Sequence, residues 1–126
     1  MKTAILAVTS LNIMFLLMHE FDTFHLGEWK MFNLSGKLKE STQYSLFLYL
    51  HIPLTLFCFY YLWTTSNFNN YTLWLIMNIF SIFHLFLHLI AIKWKSNVFH
   101  NIHSFIFIIG YGITGIVNLF LVSNYK

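Results

Sequence analysis

Arginine is absent from this chain of 126 residues, and charge of any kind is scarce at 9%. A soluble domain carries about 25% charged residues. The chain is therefore not built to keep its whole surface in water. Seven lysines with no basic run exclude a nucleic-acid-binding face. The single cysteine, Cys58, lies inside an apolar run. It cannot form an intrachain disulfide, and its expected role is that of a small apolar filler. The single proline, Pro53, lies inside another apolar run and is expected to bend a helix there. No small-x-small cleavage pattern follows the first apolar run. His19 and Glu20 come instead, so that run reads as a retained span rather than a signal peptide. There is no internal repeat, linker or low-complexity segment.

Hydrophobic residues make up 58% of the chain and are gathered in four long runs. A helix needs about 20 residues to cross the ~30 Å hydrocarbon core. The expected fold is all-α: a four-transmembrane-helix antiparallel bundle forming a single integral membrane domain over residues 1–126. The spans are expected at about 3–22, 44–63, 71–92 and 98–122. Ser41, Thr42, Asn70 and Asn97 precede spans as candidate N-caps. A short interfacial helix is expected around Glu28 to Phe32. Gly110, Gly112 and Gly115 on the fourth span allow close helix contact, inside one protomer or between two.

Lys30, Lys37, Lys39, Lys93 and Lys95 fall on the side of connections one and three, against Lys2 and Lys126 on the other. The excess assigns connections one and three to the cytoplasm and both termini to the outside of a multi-pass cell-membrane protein. Trp63 and Trp74 flank the second connection, and Trp29 and Trp94 fall at the opposite interface, as an aromatic belt would.

The polar residues are not spread evenly. All seven histidines and all four acids belong to one half of the threaded bundle. Ionisable groups at membrane depth are costly and usually face a bundle interior. On the third span, His84 and His88 are at i and i+4, so their imidazoles share a helical face. His51 is expected at a depth similar to that of His84. On the first span, His19 and Asp22 share a face, whereas Glu20 is rotated by about 100°. Glu20 then either reaches a second ion or a neighbouring helix, or supports a ligand through a hydrogen bond. A set of several histidines with one or two carboxylates suits a transition metal such as zinc or iron. His19, His51, His84 and His88 are the candidate metal ligands from this reading, with Glu20 and Asp22 as candidate catalytic bases. His25, His100 and His103 rank below them as ordinary interfacial residues.

The blocks HEFDTFHLGEWKMF, HIPL and IFHLFLH resemble a family of small bacterial integral membrane proteins of unknown function. That family carries His-Glu-x-Asp followed by Glu-Trp, then His-Ile-Pro, then a third block with two histidines. The resemblance covers nearly the whole chain and falls on His19, Glu20, Asp22, Glu28, Trp29, His51, Pro53, His84 and His88. It raises Glu28 to a candidate metal ligand. It brings no activity with it, and its blocks do not include His25, His100 or His103.

Three functions compete. The first is a metal-dependent enzyme acting on a lipid-like substrate at the cytoplasmic half. The second is a metal or proton carrier, disfavoured because the outer half reads as apolar beyond Thr9, Asn12 and Asn78. The third is a non-catalytic accessory or sensor protein with a structural histidine and acid network. A haem held between facing histidines is a further alternative.

Overall fold

The computed structural model describes residues 1–32, 37–93 and 101–125. The architecture is all-helical. Four long helices run antiparallel: α1 (Lys2–Leu26), α2 (Glu40–Asn67), α3 (Tyr71–Ala91) and α4 (Ile102–Ser123). A short 3₁₀ helix (Glu28–Phe32) follows α1 at the expected place. Each long helix is long and apolar enough to cross a membrane. Phe, Leu and Ile side chains cover the outer surface, including Phe21, Leu50, Leu56, Phe86 and Phe120. An apolar exterior of this kind is consistent with a bilayer as solvent.

Helix ends follow local chemistry. α3 starts where Asn70 accepts a hydrogen bond from the Leu73 N–H at 2.9 Å. α4 starts where Asn101 accepts from the Ser104 N–H at 2.8 Å. The expected cap Asn97, the start of the fourth span from Val98, and Trp94, Lys95, His100 and Lys126 lie outside the described residues. Ser41 and Thr42 do not cap α2. Its N-cap is Lys39, in extended backbone and without a side-chain cap, and Glu40 opens the helix. A carboxylate in the first turn favours the positive end of the helix dipole. α2 continues through Pro53.

α1 extends past Asp22 to Leu26 and stops at Gly27, which adopts φ 75° and donates its N–H to the Thr23 carbonyl at 3.0 Å. Glycine takes this left-handed conformation without a Cβ clash. The turn sends the chain back across the end of the bundle, and Glu28 follows it directly.

α4 is the hub. It packs along both α1 and α3, whereas α2 touches α3 little. A Cβ on Gly115 would meet the Ser81 side chain and come within 3.2 Å of the Asn78 carbonyl oxygen. One on Gly110 would come within 2.7 Å of the Phe15 ring. The glycines of α4 thus admit α1 and α3 of the same protomer. The principal apolar core joins Ile5, Ile13, Leu16, Cys58, Tyr61, Trp74, Met77 and Tyr111.

The half of the bundle away from the histidines is more polar than the sequence suggests. Asn118 donates to Thr9 Oγ1 at 2.9 Å, Asn78 Oδ1 at 3.2 Å and Tyr61 OH at 3.4 Å. This node takes one residue from each long helix, and all four are fully buried. Asn12 donates to the Tyr111 carbonyl and to Thr114 Oγ1, both at 2.9 Å. The expectation of an apolar outer half beyond Thr9, Asn12 and Asn78 is corrected by Asn118, Tyr61, Thr64, Thr65 and Ser81, all buried. Such residues look apolar in a span average because helical hydrogen bonding and neighbouring helices hide their polar atoms.

Candidate metal centre

Three imidazoles meet at the histidine-bearing end. His19 Nε2 lies 3.2 Å from His88 Nε2, which lies 3.0 Å from His84 Nε2. Ligand atoms of all three fall within 4.8 Å of one another. Two imidazoles on one tetrahedral ion, each at ~2.0–2.1 Å, have their nitrogens about 3.3 Å apart. The spacing is therefore that of a site able to hold a metal ion. The i, i+4 pair on α3 supplies two ligand atoms and α1 supplies the third. His19 and His88 are buried and His84 partly buried. The His84 and Tyr111 rings are nearly perpendicular, with centroids 5.6 Å apart, and Tyr111 belongs to α4.

Beside the three lies an ion pair: His51 Nε2 is 2.5 Å from Glu20 Oε2. The other nitrogen, His51 Nδ1, is 2.6 Å from the Phe47 carbonyl oxygen. A carbonyl only accepts, so Nδ1 carries a proton. In a neutral ring Nε2 would then present a lone pair to a carboxylate. The contact needs one more proton or another cation between the two groups. Phe24 and Phe47 pack against the His51 ring, with centroids 5.0 and 4.0 Å away.

Glu28 completes the group. Gly27 turns it back over the bundle end, and it is 9% exposed. Its carboxylate has no hydrogen-bond or ion-pair partner among the described residues. Burial, then the nearby Glu20 charge, pushes its pKa up to about 8, and His51 opposes the shift. One cavity of about 190 Å³ is lined by His19, Glu20, Glu28, His51 and His84, with Leu16, Phe47, Leu54 and Phe80 as its apolar wall. Leu54 and Phe80 belong to α2 and α3, the pair with little mutual contact. A larger, mostly apolar cavity of about 340 Å³ shares Phe47 and His51 with it and extends past Trp29, Leu38, Gln43, Leu46 and Leu50.

The first span thus divides its polar residues among three partners. His19 turns to α3, Glu20 to α2 and Asp22 to α4, where the Ser104 hydroxyl donates to its carboxylate. Asp22 is not among the residues lining the shared cavity. Successive helical positions are about 100° apart, so one helix surrounded by three others spreads such residues rather than aiming them together. His51 joins the cavity but not the three-imidazole cluster. His25 and His103 are exposed and stand outside it. Tyr111 is the residue that sequence reasoning missed. It is fully buried beside His84, and its hydroxyl has no hydrogen-bond partner among the described residues. Its place in an apolar run beside two glycines gave no signal.

The profile of a family described as "Family of unknown function (DUF6713)" matches residues 5–125. No curated protein and no solved structure matches the chain. The chain therefore belongs to that family of unknown function.

Proposed function

We propose that this member of an uncharacterised family is a metal-dependent membrane enzyme, acting on a lipid-like substrate from the cytoplasmic half of the bilayer. The observation that carries the reading is the convergence of three imidazoles, two of which, His19 and His84, line a cavity that Glu20 and His51 also line. An ion on His19, His84 and His88, with zinc or iron best suited to imidazole, would supply a Lewis acid that polarises water or a substrate oxygen.

The chain's own groups would do the proton work. Glu20 holds His51 through Oε2, and its Oε1 has no hydrogen-bond partner among the described residues. Oε1 is then the general base that takes a proton from the attacking water. Glu20 then returns that proton to the leaving alkoxide, so the proton count closes over hydrolysis of an ester-like bond. The Phe47 carbonyl fixes the His51 ring beside Glu20. Asp22 acts at one remove, holding the start of α4 through Ser104.

The surroundings support a lipid-like substrate. The cavity lies behind the loose α2–α3 seam, where Phe80 is 40% exposed on the lipid-facing side. The adjoining cavity offers an apolar sleeve for a chain, at the lower end of the ~300–1,000 Å³ usual for ligand pockets.

Elemental analysis of the purified protein, with a visible spectrum, tests the metal. At least one transition-metal ion per chain is expected, lost in a His84→Ala/His88→Ala variant. A Soret band would replace this reading with haem binding. Protein purified without chelator that holds neither metal nor chromophore would leave a structural or sensor network and remove the enzyme. Turnover of a membrane lipid extract tests the chemistry, and full activity in Glu20→Gln would defeat the assignment of the base.

A further inference from the structure

The three-imidazole cluster leaves two carboxylates and one histidine of the same cavity unexplained. We propose that Glu20, Glu28 and His51 form a second divalent-cation site, so that the centre holds two metal ions rather than one. The inference rests on the reading of His19, His84 and His88 as a metal site.

Three observations carry it. First, His51 is oriented as a metal-bound histidine is: its Nδ1–H is given to the Phe47 carbonyl at 2.6 Å, which aims the Nε2 lone pair into the cavity. Ligating histidines almost always donate their other nitrogen in this way. Second, that lone pair meets the Glu20 carboxylate, and the contact requires a positive species between them. A divalent ion is one such species, bound at ~2.0–2.2 Å from each ligand atom, and it would open the present 2.5 Å approach to about 3.4 Å. Third, Glu28 is nine-tenths buried, lines the same cavity, and has no partner among the described residues. A divalent ion would compensate the charge of two carboxylates set against one imidazole in this buried, largely apolar cavity. Buried charge of this kind is costly unless paired or bound to a metal.

The donor types differ in a useful way. The first site offers imidazole alone, and the second mixes oxygen and nitrogen. Glu20 lies between them, adjacent along α1 to His19 and bonded to His51. Paired ions about 3.5–4 Å apart clamp both the attacking and the leaving oxygen of a substrate.

The test titrates Zn²⁺ into detergent-solubilised full-length protein stripped with chelator, reading ions retained per chain after gel filtration. Two per chain are expected in the native sequence and one in Glu28→Gln or His51→Gln. One per chain in the native protein, unchanged by Glu28→Gln, would overturn the second site and leave the first. None in the native protein would overturn the three-histidine site and this inference together. Mn²⁺ loading gives a second reading that needs no variant. An exchange-coupled electron paramagnetic resonance spectrum is expected, and the six-line signal of isolated Mn²⁺ would refute adjacency of the two ions.

Discussion

The two ends of this bundle treat polar side chains in opposite ways. At one end, Thr9, Tyr61, Asn78 and Asn118 join all four long helices through a compact, uncharged, fully buried node. At the other, histidines and carboxylates face a cavity, one buried carboxylate has no partner among the described residues, and α2 stands away from α3. Interhelical hydrogen bonds between uncharged groups fix helix register at modest energy. Titratable groups around a void do not fix a fold well, but they can hold an ion and move a proton. The first end holds the helices together, and the second carries the proposed binding and chemistry.

Substitutions can separate these roles. The largest effect is expected from Glu20→Gln, which removes the proposed base. Lipid turnover should fall ~10²–10⁴-fold, with ions still held by the three histidines and thermal unfolding little changed. Equal losses of metal and of helix content would instead mark Glu20 as structural.

The next effect is one of pH on the metal-free protein. Glu28 rises from 4.5 to about 8 on folding. The folded chain therefore keeps a proton that the unfolded chain releases between those values. The Glu28 contribution to stability, read as the native protein minus Glu28→Gln, should fall as pH climbs from about 4.5 to about 8, by on the order of a few kcal/mol, and level off above. A difference that stays flat across that range would remove the buried, protonated Glu28.

At the uncharged end, Gly115→Ala should cost about 1–3 kcal/mol, because its methyl group would overlap the Ser81 side chain against α3. Smaller still, Asn118→Leu should cost about 1–2 kcal/mol, stranding hydroxyl and amide groups on three helices. Both should lower the unfolding temperature in detergent while metal content stays at the native value. Loss of metal in Asn118→Leu would erase the division between the two ends.

Much of the architecture is legible in the sequence. Four apolar runs fixed the number of helices, because only about 20 apolar residues cross a bilayer core. Asn70 and the Glu28–Phe32 segment were readable from local chemistry, and both stand as expected. The α2 cap was not, because Ser41 and Thr42 compete with Glu40 for the same helix start and the dipole favours the acid. Nor was Asn118, which reads as one polar residue in an apolar run until three other helices bring their oxygens to it.

The sequence by itself determined the class of molecule and the end that carries ionisable groups, since both follow from hydropathy and alternating helix direction. It also determined that His84 and His88 act together, because a four-residue step is nearly one helical turn. The tertiary structure alone decided which partner each polar residue of α1 meets. His19, Glu20 and Asp22 lie within one turn of one helix, yet they face α3, α2 and α4. The angular position of each is local, whereas what stands opposite depends on how four helices pack, and the close seats for α1 and α3 on α4 set that packing.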